Sequence, residues 1–473
     1  MDKICMNFGK TENVRGILKG IAGFEREAFH AALKEGHIEG AEAGSVKPSL
    51  FGIEIDFYDF AKMVHTFAVG LEEVKKEYGT SPTEAELKDD WIADIHFEKT
   101  QAAYGERTLS GLVINPYPQK KKPLFLYTHA TQLKKSLVPS SFFDIIVELK
   151  EDIENLIKEL MEFEWNIFEY IKHLEKAWKK LQETQLADHL EVIFLIFFAM
   201  EKGYSVVMPD YPGMGMDSKA EHPYVVAENL TDTICRFAES VIVEQKKVEN
   251  WNNELYVGGY SQGGYVAMVV TEGISKSTLL KDSLKKSWPA GGPYSLSEAM
   301  RKLMIADADY FCLFFLPLTI RAFYYCCGEN KLFSPESAFG ENGEAVFKYV
   351  DGSVIGSEAD KGLLAFTDGK KIPSKLLTPE LKELLSDPNG DNDVIRVLIE
   401  NNGFATYPKE LSKITTLFHH QKDPVVPYEN AVIAQEHLNV KIEGLEHLLE
   451  PKNMNKHILG FVHYMLYIAA KKY

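Results

Sequence analysis

The position best equipped for covalent chemistry is a serine with a glycine two residues away on each side, Gly259-Tyr260-Ser261-Gln262-Gly263. An apolar run, Leu255–Gly258, precedes it, and a helical pattern, GGYVAMVV, follows. Strand, sharp turn and helix in that order expose a serine hydroxyl on strained backbone. Such a turn leaves little room for neighbouring side chains, and Gly258, Gly259, Gly263 and Gly264 meet that demand. The helix opening at Gln262 also turns the positive end of its dipole toward the serine. The chemistry this predicts is acyl transfer.

A serine needs a base, and the base needs an orienting group. In this strand–turn–helix arrangement the acid and then the histidine follow in chain order. Asp423 sits just past the apolar run TTLFH, where Pro424 and Pro427 turn the chain away. The plainer reading of Asp423 is a turn residue, since Asp-Pro is a common turn pair. His457, where the loop EPKNMNK passes into the last helical segment, is the expected base, with His447 second. His437 comes too early in the chain, and His463 lies within the terminal helix, where packing is its expected role.

Acyl transfer also needs two backbone N–H groups at the developing oxyanion. One is expected from Gln262. The other is expected from the loop Leu126-Tyr127-Thr128-His129-Ala130-Thr131, at Ala130 or Thr131. His129 reads as a brace for that loop, Tyr260 as a support beside the serine, and Asp210 as either a pin for the loop or a turn residue.

Elements must position these groups. Short apolar runs at Leu124–Thr128, Tyr204–Pro209, Leu255–Gly258, Leu284–Gly292, Thr415–His419 and Val440–Leu445 suit strands buried on both faces. Residues 93–116 read as two further strands turning near Gly105. Helical patterns between the strands predict an α/β fold with a mostly parallel sheet, and sites in such sheets gather at the carboxyl ends of the strands. Ser140 to Lys202 holds no Gly or Pro, and apolar residues recur there in steps of three and four. That pattern predicts a helical hairpin or arm over 142–185, and the HLEVIFLIFFAMEK that follows predicts a buried helix. The expected organisation is a helical N-terminal region (1–90), a core (91–294 and 406–473) and an inserted cap (295–405).

Composition sets the outer bounds. The 473 residues are 45% hydrophobic and 26% charged, with a net charge of −17, an ordinary globular balance. An acidic chain is a poor binder of phosphate backbones, so no nucleic-acid partner is expected. Five scattered cysteines form no C-x-x-C pair and suggest reduced thiols. No metal, nucleotide or other cofactor is expected, because no Walker loop, no strand-linked G-x-G-x-x-G and no H-E-x-x-H occurs. The segment YFCLFFLPLTIRAFYYCCG is interrupted by Pro317 and Arg321, so no transmembrane span is expected. The N-terminus lacks a signal-peptide core, which predicts a cytoplasmic protein.

The pieces SGLVINP (110–116), PLFLYTHAT (123–131), PDYPGMG (209–215), HPY (222–224), GGYSQGG (258–264), GGPYSL (291–296) and HQKDPVVPYENA (420–431) resemble the α/β-hydrolase superfamily. Within it they are similar to the secretory-lipase-like branch of serine esterases, over roughly 93–300 and 410–473. The resemblance implies Ser261 as nucleophile, Asp423 as orienter, His457 as base, and a cap between the strands near 290 and 415. The family commonly has His-Gly-Thr where this chain has His129-Ala130-Thr131, and it usually carries a secretion signal and paired cysteines, neither of which is evident in this sequence. The expected substrate is a small ester or lipid-like molecule. An amide or peptide hydrolase with the same triad is the alternative, and a non-catalytic binding protein using the 142–185 arm is another.

Overall fold

The computed structural model describes residues 2–10, 22, 24–35, 49–51, 53–78, 92–116, 121–161, 167–184, 186–247, 250–327, 331–387, 392–446 and 454–470. Nine strands build one sheet: β1 (Asp2–Lys10), β4 (Ile92–Tyr104), β5 (Arg107–Pro116), β6 (Lys122–Thr128), β7 (Ser205–Pro209), β8 (Trp251–Tyr260), β9 (Leu284–Ala290), β10 (Thr416–His419) and β11 (Lys441–Gly444). A separate small hairpin pairs β2 (Ser49–Leu50) with β3 (Ile53–Glu54). The sheet order is β1-β4-β5-β7-β6-β8-β9-β10-β11. From β7 to β11 every pairing is parallel, whereas β1, β4 and β5 join antiparallel at one edge. The central strands are buried toward their carboxyl ends, as in Leu126–Thr128, Leu255–Tyr260 and Ser287–Ala290, as strands covered by helices on both faces must be.

Helices α1 (Arg26–Glu35) and α2 (Phe57–Tyr78) precede β4. Between β6 and β7 lie α3 (Pro139–Met161), α4 (Ile167–Glu183) and α5 (Leu190–Lys202). Then α6 (Ala227–Lys247) leads into β8, and α7 (Gln262–Lys276) follows it. The span between β9 and β10 is helical: α8 (Arg301–Met304), α9 (Phe315–Cys326), α10 (Pro335–Phe339), α11 (Gly343–Lys348), α12 (Gly356–Leu363), α13 (Pro379–Ser386) and α14 (Asp393–Glu400). Finally α15 (Glu429–Leu438) joins β10 to β11, and α16 (Lys456–Ala470) ends the described chain.

Two expectations need correction. The N-terminal region is not wholly helical, since Asp2–Lys10 pairs with β4 as the outer strand of the sheet. Its hydrogen bonds come from residues about ninety positions away, so local periodicity gives no sign of it. Of the hairpin or arm expected over 142–185, two helices are present, and the second, Ile167–Glu183, is no projecting arm. In α4, Tyr170, Ile171, Leu174 and Trp178 are buried, Trp178 stacks on Phe60 of α2 at 4.9 Å, and Tyr170 meets Phe29 of α1 at 6.3 Å. The apolar stripe is therefore core, shared with the N-terminal helices. In α9, Leu316, Leu318, Ile320 and Phe323 are buried in a second apolar cluster, and Arg321 pairs with Glu221 at 2.7 Å. No helix among the described residues is long and apolar enough to cross a membrane.

Candidate active site

Ser261 sits between β8 and α7 with φ +60 and ψ −125, a conformation disfavoured for any side-chain-bearing residue. Its N–H donates to the Ala290 carbonyl at 2.9 Å, and its own carbonyl accepts from Gly264 N at 2.9 Å. Close approach explains two of the flanking glycines. A Cβ on Gly263 would run into the Thr128 carbonyl oxygen, and one on Gly259 would lie 2.5 Å from the Gly263 oxygen. The tip of β6 thus packs against the turn with no space for a methyl group. Thr128 Oγ1 fixes that contact by donating to the Gly263 carbonyl at 2.7 Å.

Asp423, just past β10, and His457, on the first turn of α16, meet this serine at the carboxyl ends of the parallel strands. His457 Nε2 lies 2.9 Å from Ser261 Oγ, and His457 Nδ1 lies 2.6 Å from Asp423 Oδ2. Asp423 Oδ1 accepts the backbone N–H groups of Val425 and Val426 at 2.8 and 2.9 Å. A carboxylate only accepts, so Nδ1 carries the imidazole proton and Nε2 offers its lone pair to the serine. Burial alone would push the Asp423 carboxyl up. The charge and hydrogen bond of His457, with His419 and the Val426 amide, outweigh burial and hold it below its ordinary value. His419 donates through Nε2 to the Val426 carbonyl at 2.8 Å, bracing the turn that carries Asp423.

His457 is held at its backbone N–H, at its carbonyl and at its ring. Asn455 Oδ1 accepts from His457 N at 2.8 Å, Tyr260 OH donates to the His457 carbonyl at 2.7 Å, and the Phe51 ring stands edge-on to the imidazole at 5.4 Å. Phe51 is the turn residue of the β2–β3 hairpin, with φ +60, and also packs on Tyr260 and Phe461. Its part in the site carries no motif. Ser261 is 2% exposed and His457 0%.

The remaining predicted residues separate. His463 Nδ1 bonds the Leu445 carbonyl at 2.5 Å, and His437 stacks on Phe404 at 4.7 Å, so both pack away from Ser261. His447 lies outside the described residues. Asp210 accepts from Ser110 Oγ at 2.5 Å and from Ser140 N and Oγ at 3.0 and 2.5 Å. It therefore ties β5 to the start of α3, and does not bond the 129–131 loop. His129 donates through Nδ1 to the Ala130 carbonyl at 2.7 Å and stacks on Tyr211 at 3.9 Å, while burial pushes its imidazole down to about 3. It braces the loop as a neutral ring.

Ala130 requires correction as an oxyanion donor. Its N–H is given to Glu191 of α5, 3.1 Å from each carboxylate oxygen, and is not available to a substrate. Thr131 N and Gln262 N have no acceptor among the described residues. Glu191 escaped the sequence reading, although one signal was present: a lone carboxylate near the start of an otherwise apolar helix must find partners when buried. Among the described residues no group of His, Cys, Asp or Glu could hold a metal ion, and no disulfide joins any of the cysteines.

A mostly parallel sheet with helices on both faces, a strained serine between strand and helix, and the sheet order above define the α/β-hydrolase fold. Solved structures share it. A Legionella pneumophila protein is 18% identical over 85% of this chain and 93% of its own, with a TM-score of 0.53. The rice cell wall degrading esterase LipA from Xanthomonas oryzae is 19% identical over 83% of this chain and 90% of its own, also with a TM-score of 0.53. No protein-family model and no curated protein matches the sequence.

Proposed function

We propose that this chain is a serine hydrolase of carboxylic esters. The observation that carries the reading is the contact chain Ser261 Oγ, His457 Nε2, His457 Nδ1, Asp423 Oδ2, at 2.9 and 2.6 Å. An esterase of the same fold, Xanthomonas LipA, supports the ester as the bond attacked. Ser261 Oγ adds to the ester carbonyl as its proton passes to His457 Nε2. Negative charge gathers on the carbonyl oxygen, which the N–H groups of Gln262 and Thr131 receive. The intermediate collapses, His457 returns the proton to the leaving alcohol, and the acyl group stays on Ser261. Water then repeats the sequence, giving its proton to His457 and releasing the acid. Asp423 keeps the imidazole in the tautomer that accepts from serine.

With Ser261 so little exposed, substrate enters only when covering elements part. Residues 295–405 act as a cap over the core. Tyr310, at its start, bonds the Val425 carbonyl at 2.7 Å beside Asp423, and Lys361 of α12 pairs with Glu54 of the β2–β3 hairpin at 3.0 Å. The test is hydrolysis of short p-nitrophenyl esters by the native protein and by Ser261→Ala. Turnover abolished in the variant supports the reading, and equal turnover in both refutes it.

A further inference from the structure

Glu191 is a buried carboxyl beside the oxyanion loop that the proposed mechanism does not use. It is 4% exposed, on the first turn of α5, and it reaches across to the tip of β6. Tyr127 OH donates to its Oε1 at 2.6 Å, and Ala130 N–H bisects its two oxygens at 3.1 Å each. These donors bracket the loop, one on each side of Thr128 and His129. Two more contacts complete its fixation. Tyr211 OH donates to the His129 carbonyl at 2.5 Å, and Thr128 Oγ1 donates to the Gly263 carbonyl. A peptide plane is rigid. Fixing the His129 carbonyl and the Ala130 N–H fixes the plane between them and so constrains where the next amide, that of Thr131, can point.

Burying a carboxyl here is costly. Burial pushes it up to about 7 against the opposing pull of Tyr127 and Ala130. Core packing alone would be served better by an apolar side chain in a helix that reads LEVIFLIFFAM. Among the described residues its hydrogen-bond partners are neutral donors, and no cation pairs with it, so ion pairing does not account for its presence. Oxyanion stabilisation depends on donors held in place before the charge develops.

We infer that Glu191 is a positioning residue: its carboxylate clamps the Ala130 amide so that Thr131 N–H is presented to the substrate oxygen. This inference rests on the serine-hydrolase reading. The test compares native protein, Glu191→Ala and Glu191→Gln in p-nitrophenyl ester kinetics, and follows amide hydrogen exchange at Ala130. Glu191→Ala removes the acceptor and is expected to lower kcat about 10–100-fold with KM within about twofold, because a displaced donor acts on the transition state. Glu191→Gln keeps one acceptor oxygen for Ala130 and should recover most of kcat. Exchange at Ala130 should be slow in the native and Gln proteins and faster in the Ala variant. A folded Ala variant with native kcat, or with a loss confined to KM, overturns the inference. So does fast exchange at Ala130 in the native protein, which needs no variant to fold. A native protein that neither turns over esters nor reacts with a fluorophosphonate at Ser261 refutes the hydrolase reading instead, and the exchange result still decides the clamp.

Discussion

Replacing Asp423 with Asn separates the charge of this side chain from its shape. Its two oxygens have different duties. Oδ1 accepts two backbone N–H groups, from Val425 and Val426, and Oδ2 accepts from His457 Nδ1. An asparagine has one acceptor oxygen and one amino donor. Two backbone donors at 2.8 and 2.9 Å oblige the amide oxygen to face Val425 and Val426. The amino group then faces His457 and donates to Nδ1, so the imidazole proton moves to Nε2, against the Ser261 hydroxyl. That tautomer cannot accept the serine proton. The equivalent change in serine proteases of another fold lowers turnover about 10⁴-fold, which corresponds to about 5.5 kcal/mol of barrier at 1.36 kcal/mol per tenfold. Kinetics on p-nitrophenyl butyrate, with a thermal melt to confirm folding, would measure it. A folded Asp423→Asn protein within tenfold of native kcat would refute the assignment of Asp423 as orienter.

Gly263→Ala would force a methyl group onto the Thr128 backbone, with the His129 oxygen 2.8 Å away. Overpacking there should cost about 1–3 kcal/mol in a chemical denaturation experiment, and kcat should fall as the β6 tip moves. Phe51→Ala removes a fully buried ring that contacts His457, Tyr260 and Phe461, and denaturant titration should show a loss of about 3–5 kcal/mol. Glu191 has its folded-state value raised from 4.5 to about 7 by burial. The stabilisation from its protonated form is therefore complete below pH 4.5 and lost as pH rises through about 7. Melting curves should show Glu191→Gln gaining on the native protein across that window, by on the order of 3 kcal/mol in all. A difference independent of pH would contradict the raised value.

The parallel half of the sheet is legible in the sequence because strands buried on both faces are uninterrupted apolar runs, as in LFLYT and YSVVMP. The turn at Ser261 is legible because close backbone approach admits only glycine. What escapes are pairings between distant residues. β1 depends on β4 for its hydrogen bonds, and nothing within Asp2–Lys10 announces that partner. The α4 stripe declares a buried face but not that α1 and α2 bury it. The choice between Ala130 and Thr131 turns on one amide, and a glutamate 61 residues later in the chain engages it. Phe51 reaches His457 from the far end of the chain, on a two-stranded hairpin too short to show a period.

The central claim is that Ser261 is a nucleophile activated by His457. Labelling the native protein with a fluorophosphonate and mapping the adduct by mass spectrometry tests it most directly. The expected result is one adduct, on the peptide carrying Ser261, absent from Ser261→Ala and strongly slowed in His457→Ala. A folded native protein that takes up no label, or takes it up elsewhere and equally in Ser261→Ala, would contradict the claim.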